Sequence, residues 1–412
     1  MRHLSPGACV LVLVASAALS RAAPPAEKFE LRDGDRVAFL GNTFFEREQA
    51  HSYLETLLAS RYPDRNVIFR NIAWSGDTVF GHARAAFDTP EQGFERLIKV
   101  AHDVKPTVLF ISYGMGESFD GERGLSAFRQ GLDRMLDRLG DLKARTVLVS
   151  PIRHEDLGEP YPNPSQHNQD LRRYIDVLKE TADRRGFWFV DLYELLGDGA
   201  QSTPRPPLTD NGIHLTPYGY WRAALAVEQG LGMPPRGWTM TLDAAGGNAT
   251  GKGVEPTDVR KDGAAPVFKT AKELLPPPPL PAGSPEVRLP EAYRRVLTVT
   301  GLPQGHWSLG IDGKLAATGS AEEWAKGVEV AGGPLAEQAE KLRRVAVLKN
   351  MQFFNQWRPQ NETYLFGFRR NEQGQNAKEI PQFEQPIAEK EAEMAKLRAA
   401  GPRTYRLERE DQ

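Results

Sequence analysis

Cysteine is nearly missing from this sequence: the 412 residues hold one, Cys9. It precedes the apolar core of the N-terminal segment, whereas a lipid-modified cysteine would follow that core. Beyond residue 22 no thiol is left to act as nucleophile, to pair in a disulfide or to ligate a metal. Any chemistry falls to hydroxyls, imidazoles and carboxylates. Charge of one sign is lacking too. The chain has 52 Lys and Arg against 54 Asp and Glu, a formal net charge of −2. No basic field is present to draw nucleic acid or an anionic membrane as a partner. The eight histidines are scattered, and His154-Glu155-Asp156 reads as a solvated loop triplet, not a ligand set. Gly246-Gly247 read as following no strand and opening no helix, so no phosphate cradle is expected there. Neither a metal nor a cofactor is expected.

Long apolar runs are confined to the start. Arg2 and His3, then Val10-Leu11-Val12-Leu13-Val14, then Ser20-Arg21-Ala22 give the basic start, apolar core and small-x-small cleavage site of a secretory signal over residues 1–22. The run is short for a bilayer, and no later segment could span one, so the mature chain is expected to have no integral membrane segment. The expectation is a secreted or periplasmic protein, with an uncleaved anchor as the alternative.

The length exceeds that of a usual single domain. Between residues 34 and 232, β-type runs at 36–41, 67–72, 107–113, 146–150 and 187–191 alternate with amphipathic stretches near 46–60, 91–104, 122–139 and 165–185, and a last helix follows Pro217. Several runs are almost wholly apolar, which suits strands covered on both faces. The alternation predicts a parallel sheet with right-handed crossovers. Ligands in such sheets bind outside the carboxyl ends of the strands. Thr43, Ser75-Gly76-Asp77, Gly114-Met115-Gly116-Glu117 and Pro151-Ile152-Arg153-His154 all follow strand ends and are expected on one rim.

In their order and spacing these blocks resemble the SGNH, or GDSL-type, hydrolase superfamily. Gly41-Asn42-Thr43 stands for its Gly-Asp-Ser, and Gly76 matches its second-block glycine. Gly114-Met115-Gly116-Glu117 stands for Gly-x-Asn-Asp, and Asn211-Gly212-Ile213-His214 for Asp-x-x-His. The resemblance implies a flavodoxin-like three-layer α/β/α sandwich with a five-stranded parallel sheet, and hydrolysis of a small-molecule or carbohydrate ester. It implies that Thr43 is the nucleophile and His214 the base. A helix cap at Thr43 and a buried structural histidine at 214 are the plain alternatives. The family's acid position holds the neutral Asn211. Either Asp210 turns inward to orient the ring, or Asn211 orients it without stabilising an imidazolium. The Thr43 and Gly76 amides would hold an oxyanion, with Asn42, Gly116, Glu117 and Asn211 completing the oxyanion and substrate-binding set. Gly116 lacks the amide the family places there, and an ionised Glu117 would repel an oxyanion. Ser75 is a minor alternative nucleophile. These departures point to slow, specialised chemistry or to a pocket retained for binding a glycan or other ligand.

Residues 233–288, rich in Gly and Pro, are expected to be a linker, with Pro276-Pro277-Pro278-Pro279 a stiff spacer. A small β-unit over 289–320, turning at Asp312-Gly313, and a helical, aromatic arm over 321–412 should follow. The Phe, Trp, Asn and Gln cluster from Phe353 to Asn376 suits sugar rings. It either folds back over the catalytic rim or simply packs around the first domain.

Overall fold

The computed structural model describes residues 27–197, 206–271, 273–284, 288–359, 361–372 and 376–410. The expected signal segment, 1–22, lies outside them. Strands β1 (Arg36–Gly41), β2 (Ile68–Asn71), β3 (Val108–Ser112), β4 (Arg145–Val149) and β5 (Trp188–Val190) form a wholly parallel sheet in the order β2-β1-β3-β4-β5. That is the flavodoxin-like order. Alternate side chains enter different cores, as the pleat requires. Val37, Phe39, Phe110 and Val147 meet helices α1 (Thr43–His51), α2 (Tyr53–Arg61) and α7 (Pro217–Gly230). Ala38, Leu40, Leu109 and Leu148 meet α3 (Pro90–Val104), α4 (Gly121–Leu139) and α5 (Ser165–Arg185) on the other side. A short helix, α6 (Leu192–Leu196), follows β5. The single helix expected over 46–60 is two, because Ser52 takes a left-handed conformation with φ 53°. Its N–H still bonds Glu48 O, and the buried Glu48 carboxyl accepts from Leu54 N–H at 2.7 Å.

The second half departs from expectation. The presumed linker contains β6 (Trp238–Asp243), β7 (Asn248–Lys252), β8 (Glu255–Asp262) and β9 (Ala265–Ala271). The presumed small unit supplies β10 (Arg295–Thr300), β11 (His306–Ile311) and β12 (Lys314–Ser320), followed by helix α8 (Ala321–Lys326) and β13 (Val328–Glu329). The arm comprises α9 (Pro334–Trp357), α10 (Glu362–Leu365) and α11 (Glu384–Leu397), and β14 (Arg403–Arg409) returns to the β part. The two sheets, β13-β10-β6-β7 and β12-β11-β14-β9-β8, enclose one core of Trp238, Phe268, Leu297, Trp307 and Tyr405. This is a β-sandwich with the helical arm inserted before its last strand. Buried Glu273 joins the two sheets, accepting from Trp238 Nε1 at 2.8 Å and from Tyr405 OH at 2.6 Å.

Two buried clips hold sandwich and arm to the α/β layer. Glu228 of α7 lies between Arg61 of α2 and Arg236 just before β6. Lys349 of α9 pairs with Glu55 of α2 at 2.7 Å and donates to Phe69 O at 3.0 Å. Pro276–Pro278 are buried against α7, where Trp221 Nε1 donates to Pro278 O at 2.9 Å, so the proline run is packed core and not a spacer.

Candidate active site

Strand β1 runs out at Gly41, where an added Cβ would sit 2.4 Å from Ser112 O. Only glycine lets β1 and β3 meet there as the chain turns into α1. Asn42 supplies the helix cap, its Oδ1 accepting from Phe44 N–H at 3.2 Å. Thr43 is therefore the first helical residue and its hydroxyl is not the cap. That oxygen accepts from Gly76 N–H at 3.2 Å. Gly76 sits in a left-handed turn at φ +74°, and an ion pair of Asp77 with Arg84 at 2.6 Å secures the chain just after it.

The same turn is pinned by the arm. Glu46 accepts from Ser75 N–H and from Arg358 at 3.1 Å, while the Arg358 guanidinium lies 3.5 Å from the centroid of Trp74. The end of α9 thus reaches the loop that presents Gly76, and the arm also packs around the first domain. Nothing local in the sequence couples Arg358 to Trp74. Only the fold brings them together.

Glu117 does not face the pocket. Its buried carboxyl accepts from Val79 N–H and Gly114 N–H, both at 2.9 Å, and so ties the second and third rim loops together. Burial, with no cation in hydrogen-bond contact, pushes its pKa up to about 7. Above the ordinary carboxyl pKa of 4.5 an unfolded chain gives up this proton while the folded chain keeps it. Stability is therefore lost as pH rises from 4.5 through about 7. Glu117→Gln sets an NH₂ against either the Val79 or the Gly114 N–H, a cost that does not vary with pH, but it removes the titrating carboxyl. Its stability relative to the wild type is expected to rise by roughly 2–4 kcal/mol between pH 5 and pH 8, read by urea unfolding. A constant difference across that range would refute the assignment. Gly116 opens the following turn, and the nearest atom to an added Cβ would be Thr78 Cγ2 at 4.0 Å, so the missing amide leaves real space.

His214 is carried by the loop before α7. Glu155 holds that loop from outside, accepting from Leu208 N–H at 3.1 Å and Thr209 N–H at 2.9 Å. Asp210 turns away: its carboxylate faces Arg47 at 3.8 Å and makes no bond to the ring. Asn211 is the partner. Its Oδ1 accepts from Ile213 N–H at 3.2 Å and His214 N–H at 2.9 Å, and its Nδ2 faces His214 Nδ1 at 3.0 Å. The two backbone donors fix which end of the amide is the oxygen, so an NH₂ must point at the imidazole. Nδ1 is then an acceptor, and the neutral ring carries its proton on Nε2. Burial, then Arg47, hold the His214 pKa below its usual value, with Asp210 opposing, so the ring is neutral at pH 7.

Thr43 and His214 line one small, mostly apolar pocket with Phe44, Met115, Ile152 and Tyr220. No hydrogen bond joins the hydroxyl to the ring. Of the sequence-derived set, the fold brings Asn42, Thr43, Gly76, Asn211 and His214 together, whereas Asp210 and Glu117 are engaged elsewhere and Gly116 offers no side chain. Tyr220, whose OH donates to Phe44 O at 3.1 Å, was not anticipated. Its place in the first turn of the helix after His214 was the available signal. His154, expected in solvent, is buried. Among the described residues no cluster of three or more metal-ligating side chains occurs.

A solved structure shares this fold over nearly the whole chain, and others match about half of it. A gut microbial diltiazem-metabolizing enzyme is similar at 19% identity and a TM-score of 0.72, covering 93% of this chain and 100% of its own. The sandwich and arm thus belong to a fold seen elsewhere. A catalytic mutant of an acetylxylan esterase from Geobacillus stearothermophilus is 17% identical with a TM-score of 0.40, covering 50% of this chain and 97% of that one. An α/β hydrolase from the metagenome of Lake Arreo is 18% identical with a TM-score of 0.38, over 49% and 97%. No curated protein matches the chain. The model of the GDSL-like lipase/acylhydrolase family matches residues 34–222.

Proposed function

We propose that the protein is an exported hydrolase of a carboxylic ester with a short acyl group, such as an acetylated carbohydrate. The observation that carries this reading is the shared pocket of Thr43 and His214 at the carboxyl end of a parallel sheet, with Gly76 N–H on the Thr43 oxygen. Thr43 Oγ1 attacks the ester carbonyl while its proton passes to His214 Nε2. The carbonyl oxygen becomes an oxyanion held by the Thr43 and Gly76 N–H groups. Collapse breaks the bond to the alcohol, which leaves with the proton from His214. Water, deprotonated by the same imidazole, then releases the acid from Thr43. The apolar lining of Met115, Ile152 and Ile213 suits an acetyl methyl.

The attack needs Nε2 bare, which places a proton on Nδ1 opposite the Asn211 NH₂. Turnover is therefore slow. The same amide supports a second reading, a glycan- or ligand-binding module on a hydrolase fold. Aryl acetate and acetylated xylan turnover by the wild type, Thr43→Ala and His214→Ala separate the two. The hydrolase reading expects each substitution to remove at least about 10²-fold of kcat/KM. Equal rates in all three proteins would leave only the binding reading.

A further inference from the structure

The loop after β4 borders two neighbouring hollows. Pro151 and Ile152 line the Thr43 pocket, and the next two residues, Arg153 and His154, line a second hollow of about 280 Å³ with Asp156, Ser165, Asn168 and Tyr193. Glu155 N–H donates to Gly212 O at 2.8 Å, which stitches this loop to the one carrying His214.

Arg153 and His154 each carry a buried nitrogen that has no partner among the described residues. The Arg153 guanidinium lies 4.3 Å from the Tyr193 ring centroid, and its Nε is buried and unpaired. It forms no ion pair or hydrogen bond among the described residues. His154 is 5% exposed and its Nε2 is also buried and unpaired. The histidine is held rigidly. Its backbone N–H and C=O both bond the Asn168 side chain at 2.9 Å, and its ring stacks on His167 at 4.4 Å, which stacks in turn on Phe119 at 4.1 Å. Burial, then His167 and His214, push the His154 pKa down to about 4, so the ring is neutral and can offer an N–H. The acid of the hollow, Asp156, is already engaged, accepting from Gly158 N–H at 3.0 Å and the Asn163 amide at 3.3 Å. The first turn of α5, at Ser165, adds a positive helix end.

A buried polar nitrogen with no partner stays unfavourable until one arrives, and a planar guanidinium pre-set on an aromatic ring suits a two-oxygen acceptor best. We propose that this hollow is a subsite for a carboxylate on the substrate, so that the preferred ester sits on an acidic sugar, such as an acetylated uronoside, in preference to a neutral one. That the sugar carries a cleavable ester rests on the hydrolase reading. The carboxylate subsite does not.

The test uses the full chain and two arms. In calorimetric titration D-glucuronate is expected to bind at least about tenfold tighter than D-glucose. Arg153→Gln should erase that difference while Arg153→Lys retains part of it. In turnover, the ratio of kcat/KM for acetylated methyl glucuronoside to that for acetylated methyl glucoside should fall by about tenfold or more in Arg153→Gln. Thermal melts of each variant verify folding. Equal binding of the two sugars, binding of neither, or a preference untouched by Arg153→Gln overturns the proposal. Sulfate or phosphate binding tighter than glucuronate overturns the carboxylate assignment. Selective glucuronate binding with no ester cleaved sinks the hydrolase reading and leaves the subsite standing. Cleavage that is blind to charge does the reverse.

Discussion

Asn211→Asp is expected to raise kcat/KM on an aryl acetate by roughly two orders of magnitude or more. In a Ser-His-Asp site the opposite change, which leaves the imidazole in the wrong tautomer, costs about 10⁴ in kcat. The geometry explains the direction. In the wild type, Ile213 N–H and His214 N–H hold the Asn211 oxygen, so the amide NH₂ at 3.0 Å from Nδ1 keeps the ring proton on Nε2, the atom that must accept from Thr43. A carboxylate in the same place keeps both backbone bonds with one oxygen and accepts Nδ1–H with the other. Nε2 is then free to act as base, and the imidazolium formed during attack gains a countercharge. Nitrogen-15 shifts of His214 give a readout independent of turnover: the proton should sit on Nε2 in the wild type and on Nδ1 in the variant. The pKa of His214, now lowered by burial and Arg47, should also rise, moving the acid limb of the rate profile upward. Asn211→Ala, which removes the partner without supplying a charge, should not reproduce the gain. An unchanged tautomer in the aspartate variant would defeat the argument, whatever the rate.

Glu228→Gln is expected to cost about 3–5 kcal/mol of stability, measured by urea unfolding at pH 7. The Glu228 side chain is 1% exposed, and its partners Arg61 and Arg236 are 6% and 0% exposed. Arg61 grips it with two bonds, at 3.1 and 3.0 Å, and Arg236 adds one at 2.7 Å. Burial alone would raise its pKa, but Arg236 and Arg61 outweigh burial and hold the carboxyl below its usual value. That contribution is present above the ordinary carboxyl pKa and is lost as pH falls through the lowered folded value. With glutamine, two guanidinium ions stay buried beside a neutral amide that can accept at one atom only. Removing all three charges together, as Arg61→Met/Glu228→Leu/Arg236→Met, should cost less than the single change, because no unpaired ion remains. A loss below about 1 kcal/mol for Glu228→Gln would show that the cluster is not the clip described.

How legible these features were in the sequence depended on where each element lies. The strands β3 and β4 are buried along almost their whole length, so the apolar runs at 107–113 and 146–150 announced them. Two edge strands of the sandwich, β7 and β8, gave no such sign. In β7 and β8 nearly every residue is at least partly exposed on both faces, so no period of two survives in Asn248–Lys252 or Glu255–Asp262, and the composition resembled a linker. β6 did alternate, with Trp238, Met240 and Leu242 inward, but its partner β10 lies beyond the proline run, and local reading could not pair them. At the site, the positions of Thr43, Gly76 and His214 followed from motif order. The choice between Asp210 and Asn211 did not, since the two are adjacent and only the Asx-type bonds of Asn211 decide which side chain meets the ring. Arg358 meets Glu46, and Glu228 meets Arg61, across segments far apart in the chain, which no window of sequence contains.

Strand β14 sits in the interior of its sheet, between β11 and β9, although the whole helical arm precedes it in the chain. During ribosomal synthesis the parallel layer has all five of its strands long before this one is made, whereas the sandwich waits with an unfilled slot. Closing that slot also draws in α9 and α11, since they are tethered between β13 and β14. Assembly of the second half should therefore be a late, slow step governed by distant pairings, and Arg358 can brace the turn at Gly76 only once it is complete.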